Sequence, residues 1–515
     1  MSQGNARRKW QAPSEWVSRV LSSMSLRNLR LAQESGGGTH RILRFPVLRG
    51  PHKAEEAPHR PNPFGRFGQM AVEKMAETAL EELVLERQFA GLLQTQAKTF
   101  FQLSNSLLSH GVESGLRQEW NKKHYNQLIN ESDALETFLD DYGAGYNRTY
   151  AFLRELVASL RWFAHSGYSI SHLMGRVDSY GENVWGRPED RAEALASIEE
   201  GLGFLRGTTL HLLSAVRNEV SRLGVEVTSE TFPESNFNPL TAKRKLPRNV
   251  GQEELDEEEK KVAEVTTKFL QAAEMIAEAG VRRISDAEER HRFFARECTE
   301  TSARVYEATV HNLQSTYDTH IQNTVLEGQD RRLRLLRGHT SSALHLLEAV
   351  TYLAHFIERH EGEIRSEEAK RRIGELVGRS EVEEVTLNTF LYWANRTLQA
   401  GVQLATDLLP EYTNIQQLEL ELSGELSLHA RPAALIVGIV NHYGTPVEME
   451  LAGHKSNAGS ILELLVAVGS HPGQRKLLFR GDEKPLRDIG LLFQYGLGES
   501  GLQTLPSELG YLRQH

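Results

Sequence analysis

Cysteine is almost missing from this chain: its 515 residues hold one, Cys298. That excludes an intramolecular disulfide framework and a thiolate zinc site, and it predicts a reducing, cytoplasmic setting. Long apolar runs are missing as well. The best candidates, Ala433 to Val440 and Ile461 to Val468, fall far short of the roughly 18 consecutive apolar residues of a membrane span. Integral membrane function is therefore not expected. Also absent are a phosphate loop, a dinucleotide fingerprint, an ATP-binding kinase motif and a nucleophile elbow.

The net charge is −10, and it is unevenly spread. Residues 1–70 hold 12 basic and 4 acidic side chains, whereas the rest hold 47 and 65. A start of +8 followed by −18 argues against a chain-wide nucleic-acid surface and confines attraction to anionic partners to the N-terminal stretch. Residues 1–69 are rich in Arg, Pro, Gly and Ser, including Gly36-Gly37-Gly38 and Pro61-Asn62-Pro63. They read as a basic, largely disordered tail. Within it, Trp16, Val17, Val20, Leu21 and Met24 recur at helical spacing beside Arg19, Arg27 and Arg30. Such a segment suits a membrane surface, a partner, or docking on its own protein. No apolar core of a signal peptide follows it.

From about residue 70 to 230 the apolar positions take helical periods, as in Leu80, Leu83, Leu93, Phe100 to Leu108, Phe152 to Phe163 and Ile198 to Leu223. A Pro- and Asn-rich stretch over 231–255 reads as a linker or long loop. Helices resume over 256–410: Asp256 to Ala279 is one, and another opens on a Ser285-Asp286-Ala287-Glu288 capping box and is expected to run to about Val325, since no Pro or Gly interrupts it. Its length suggests an elongated bundle and self-association through this region. Leu156 to His165 and Leu346 to His355 echo each other in a closing aromatic-apolar-Ala-His pattern. Duplication of one helical module and chance likeness of two buried helices both account for that.

After Pro410 the period changes to two: Leu418, Leu420 and Leu422 alternate with Glu419, Glu421 and Ser423. A helix with Ala433, Ile436, Val437 and Val440 on one face follows, then a strand through Leu451, a turn at Gly453, a helix Ile461 to Val468, a strand Lys476 to Arg480 and a helix from Glu483 to about Leu497. This is an α+β unit with a four-stranded sheet covered by helices, over 415–499, with 500–515 as a C-terminal tail. The fold class is thus multidomain, a long mostly α-helical bundle region followed by a small α+β domain.

In this unit the loop before the first helix reads Ser427-Leu428-His429-Ala430-Arg431-Pro432-Ala433. Pro432 suits a first helical turn, so His429 falls at the helix start, where unpaired amides and the positive end of the dipole meet. A phosphoryl group on its imidazole would be met there by those amides and by Arg431. The competing reading of a lone His at a helix start is an ordinary cap.

The spacing around that histidine resembles HPr, the histidine-containing phosphocarrier family of the phosphoenolpyruvate-dependent phosphotransferase system, whose signature is Gly-Leu-His-Ala-Arg-Pro-Ala. Six of its seven positions stand here as Leu428 to Ala433, with Ser427 in place of glycine. Lys455 to Leu462 is similar to the family's Lys-x-Asn-x-x-Ser-Ile-Met segment, with Gly459 where Lys is usual and Glu463 where Gly is usual. The resemblance spans about one-sixth of the chain. It implies an open-faced sandwich of four antiparallel strands and three helices, with His429 as phosphoacceptor and Arg431 as phosphate partner. Ser427 would add a hydroxyl beside the phosphate, and Ser460 would be a regulatory site for an HPr kinase; the other reading of Ser460 is an N-cap closed by Glu463. Ile461, Leu462 and Leu465 would form the partner-docking face or ordinary packing. The implied partners are an enzyme I-like phosphodonor and an acceptor protein of the phosphotransferase type.

The helical region offers less chemistry. Glu288-x-x-His291 has the spacing of one bundle metal-ligand pair but lacks a second, and His339, His345, His355 and His360 read as exposed or capping residues. No metal or cofactor is expected. The reading is a phosphocarrier or phosphotransfer-linked signalling protein that depends on an outside donor. The alternatives are a docking module that binds partners without phosphate turnover, which would not need His, Arg and Pro together, and a metal-dependent helical catalyst.

Overall fold

The computed structural model of the protein describes residues 83–109, 120–237, 255–361, 366–424 and 426–513. The expected basic tail, Leu80 and residues 238–254 of the expected linker lie outside them. The helical region comprises α1 (Glu86–Gln96), α2 (Lys98–Ser109), α3 (Lys122–Asp141), α4 (Ala151–Met174), α5 (Pro188–Arg222), α6 (Leu255–Glu278), α7 (Ala287–Glu297), α8 (Glu300–His320), α9 (Arg331–Glu361), α10 (Glu367–Leu376) and α11 (Tyr392–Leu408). A π-helical stretch, Val385–Leu391, leads into α11. None of the helices among the described residues is long and apolar enough to cross a membrane.

Helices α4 and α9 form the centre. Helix α4 packs on α3, α5 and α9, and α9 packs on α8, α11 and α4. The pairings α2–α3, α3–α4, α4–α5 and α2–α5 recur as α6–α8, α8–α9, α9–α11 and α6–α11. These are two four-helix units of the same order. At their junction the echoed segments exchange contacts: Trp162 lies 4.0 Å from His355 between ring centres, and His165 lies 4.7 Å from Tyr352. Trp162 corresponds to Tyr352 in the echo and His165 to His355, so equivalent positions meet each other's counterparts across a local two-fold. The repeated order of helix pairings supports duplication of one helical module.

Several expectations are corrected. The helix after Ser285 does not run on to Val325; it stops at Glu297, and Thr299 caps a new one by accepting the Ser302 N–H at 3.1 Å. A Ser/Thr cap breaks a helix without Gly or Pro, because its hydroxyl competes for the free amides. Its start is capped by Asp286, which accepts the Glu289 N–H at 2.7 Å, and not by Ser285. Helix α8, the second half of that stretch, packs on α6 and α9. The first residues of the expected linker are packed as well. The Phe232 N–H donates to the Gln102 carbonyl at 3.0 Å, and its carbonyl accepts the Ser106 hydroxyl at 3.0 Å.

The C-terminal unit contains β1 (Ile415–Glu421), α12 (Ala430–Tyr443), β2 (Val447–Leu451), β3 (His454–Asn457), α13 (Ile461–Ser470), β4 (Lys476–Asp482) and α14 (Glu483–Gln494). The sheet is antiparallel in the order β1-β4-β2-β3. Phe479 on β4 stands opposite Leu418 on one side and Met449 on the other, at the middle of a core that is separate from the helical one. Strand β3 is polar, His-Lys-Ser-Asn, and the period-two reading passed over it. Residues 500–513 are not a tail. Leu505, Leu509 and Leu512 join the core, Leu512 fitting where Gly438 on α12 leaves space, and the Tyr511 hydroxyl donates to buried Asp488 at 2.9 Å. The segment covers apolar surface of α12 that the sheet leaves open.

Candidate site at the start of helix α12

His429 is the N-cap of α12, with extended backbone at φ −101° and ψ −171°. Leu428 before it and Pro432 after it are buried, which anchors the loop on both sides. The Ala433 N–H donates to the His429 carbonyl at 3.0 Å, and Pro432 has no N–H, so the amides of the first turn without a backbone partner are those of Ala430 and Arg431. The Arg431 N–H donates to His429 Nδ1 at 3.4 Å. On the far side of the ring, Nε2 meets Glu499 Oε1 at 2.9 Å. The two contacts fit one tautomer: Nε2 carries the proton and donates it to Glu499, while the Nδ1 lone pair faces the positive end of α12. About half of the His429 side chain is exposed, so an incoming group can reach it.

Arg431 is exposed and makes no ion pair among the described residues, which leaves its guanidinium available to an anion beside His429. Ser427 is exposed on the approach to the ring. The residue that sequence reasoning passed over is Glu499. It lies in the turn after α14, where Gly496, Leu497, Gly498 and Gly501 all take positive φ, 56° to 108°. The Gly-rich run Gly496 to Gly501 marks a tight turn in the sequence, but its facing His429 is a product of the tertiary fold.

Helix α13 packs beside α12 and presents Ile461, Leu462 and Val466 to solvent at 41%, 49% and 50% exposure, with Leu465 half-buried. Ser460 caps α13: its hydroxyl accepts the Glu463 N–H at 3.4 Å. The expected capping box is only half formed, since Glu463 accepts the Asn457 N–H at 2.9 Å instead of that of Ser460. Asn457 in turn accepts the Gly459 N–H at 2.8 Å, which ties β3 to the helix start.

Comparison with family models, curated proteins and solved structures finds no match to this chain. The case for the site therefore stands on its geometry.

The histidines of the helical region are brought to separate tasks. His291 faces Glu383 at 3.0 Å while Glu288 faces Arg292, so the metal-ligand spacing of that pair is not used as one. His339 is buried, its Nδ1 2.8 Å from the Thr397 carbonyl, and burial lowers its pKa to about 4; it is a core residue, not an exposed one. His345 pairs with Glu348 at 3.1 Å, and His355 meets Glu300 at 2.8 Å. His165 and His172 are likewise lowered to about 4, chiefly by burial, and stay neutral near pH 7. The His360 side chain lies outside the described residues.

Proposed function

We propose that the C-terminal unit is a phosphocarrier of the HPr type, in which His429 takes a phosphoryl group from an enzyme I-like donor and passes it to an acceptor protein. The observation that carries this reading is the double hold on His429, with Nδ1 turned to the amide end of α12 and Nε2 held by Glu499. In the transfer the Nδ1 lone pair gives up its long contact with the Arg431 N–H and forms a nitrogen–phosphorus bond as the donor's bond to phosphorus breaks, its electron pair leaving with the donor. The Nε2 proton stays on the ring, and the Glu499 carboxylate meets the positive charge that the ring acquires. Once phosphorus sits on Nδ1, the amides of Ala430 and Arg431 and the Arg431 guanidinium are the donors nearest its oxygens, a helix N-terminus serving as an anion site. A lone cap requires neither the second hold on Nε2 nor an arginine two residues on that has no ion pair among the described residues. The exposed apolar side chains of α13 form the docking face for donor and acceptor.

Incubation with phosphoenolpyruvate and an enzyme I-type donor should yield an acid-labile, alkali-stable phosphoprotein. His429→Ala should abolish the label while leaving the circular dichroism spectrum unchanged. Equal labelling of that variant would refute the assignment.

A further inference from the structure

The exposed large apolar side chains among the described residues gather, Leu92 and Tyr495 apart, in two places. One is the face of α13 beside His429. The other lies in the helical region, where Leu83, Val84 and Leu85 precede α1 and Tyr142 and Tyr146 occupy the turn between α3 and α4. Leu83 is 66% exposed and Tyr146 88%. Leu83, Val84, Tyr142 and Tyr146 wall an open cleft of about 470 Å³. Its floor is aromatic: Phe89 meets Tyr150 edge-on at 4.7 Å and Tyr142 at 5.3 Å between ring centres. The charged residues that line it are two carboxylates, Glu86 and Asp141, with no cation among them. A cleft that leaves large apolar side chains this exposed is incompletely covered, and its charge selects what covers it.

We propose that the cleft is the docking site of this chain's own N-terminal segment around Trp16 to Met24. Two facts favour this occupant. The described chain begins at Leu83, inside the cleft, so the 82 residues before it start from the site, and tethering at that range raises the local concentration of any segment they carry. Charge then decides between the apolar segments available. Met70 to Glu82 carries four glutamates and one lysine, which the two carboxylates repel, whereas Trp16 to Arg30 carries Arg19, Arg27 and Arg30 and no acidic residue. Trp16, Val17, Val20, Leu21 and Met24 supply the apolar stripe for the aromatic floor, and the arginines reach the rim.

The sole native cysteine is fully buried, so a thiol introduced in the segment can be labelled selectively. Full-length Ser23→Cys carrying a bimane, a dye quenched on contact with tyrosine or tryptophan, should show quenching that is relieved about severalfold by Tyr146→Ser. The same relief should follow Val20→Ala/Leu21→Ala, which changes nothing in the described structure and leaves Trp16 in place, and should follow in part from high salt. Tyr146 is almost wholly exposed, so its loss leaves the fold intact, as thermal unfolding of the variant verifies. Emission that is the same with and without Tyr146 would overturn the proposal. Quenching that vanishes on dilution, with a matching change in sedimentation, would also overturn it by making a second copy the occupant.

Discussion

Leu509 tests whether the residues after Glu499 belong to the C-terminal unit. Its side chain is fully buried among Leu505, Leu512 and the residues of α12 and α14. Truncating a buried leucine to alanine removes its transfer free energy and leaves a cavity, for about 2–5 kcal/mol in total. A domain of this size holds about 5–15 kcal/mol altogether. Leu509→Ala should therefore remove a large fraction of the stability, lowering the melting temperature by roughly 4–8 °C for each kcal/mol lost. An undocked tail would instead give a change within about 0.5 kcal/mol, as any exposed substitution does. The assay is urea unfolding of fragment 414–513 followed by far-ultraviolet circular dichroism, with Gln503→Ala, an exposed neighbour, as the control. Coincident midpoints for the two variants would refute the claim that this segment completes the core. The outcome bears on the site as well, because the same segment follows directly on the turn that brings Glu499 to His429.

Removal of Glu499 should disturb the ring without touching the fold. Loss of a half-exposed, charge-assisted bond of about 1 kcal/mol should raise the Nδ1–H tautomer of His429 about fivefold in Glu499→Ala, read by nitrogen-15 NMR; unchanged tautomer populations would remove Glu499 from its positioning role. Stability at high pH should reflect Tyr443, which burial and the Asp488 carboxylate push up to about 12. Because the phenol of an unfolded chain titrates near ~10, its contribution is whole below that pH and is lost as pH rises toward 12. Urea midpoints should fall across that window and fall less in Tyr443→Phe, and parallel curves would contradict the linkage. In the helical region a Cβ at Gly401 would stand 2.5 Å from the Phe269 ring and 3.0 Å from that of His339. Gly401→Ala should cost about 1–3 kcal/mol through overpacking, measured by thermal unfolding; an unchanged or raised melting temperature would show that the α6–α9–α11 core yields more than its packing indicates.

Much of this protein was legible in its residues, and the legible parts share a cause. Helical periods, the switch to period two at Leu418, and His429 at a helix start enforced by Pro432 are all local, each set by side chains within a few positions of the backbone they shape. The break at Cys298–Thr299 is local too, but a threonine cap carries far less signal than a proline or glycine, and the helix was read through it. Strand β3 is a strand because β2 stands beside it; its polar residues show no alternation of their own. Glu499 is seventy positions from His429, and no spacing rule joins them. The same holds for Leu509 and Leu512, which look like any short apolar tail until α12 offers them a surface. The echo between the two central helices showed likeness, while only packing showed that equivalent residues exchange partners. What the sequence by itself determined is where elements begin and which face of each is apolar, because capping and periodicity act over one or two turns. Which faces meet, which glutamate finds the histidine and where the chain end lies were decided by the tertiary structure, since burial depends on surfaces that exist only once distant segments have come together.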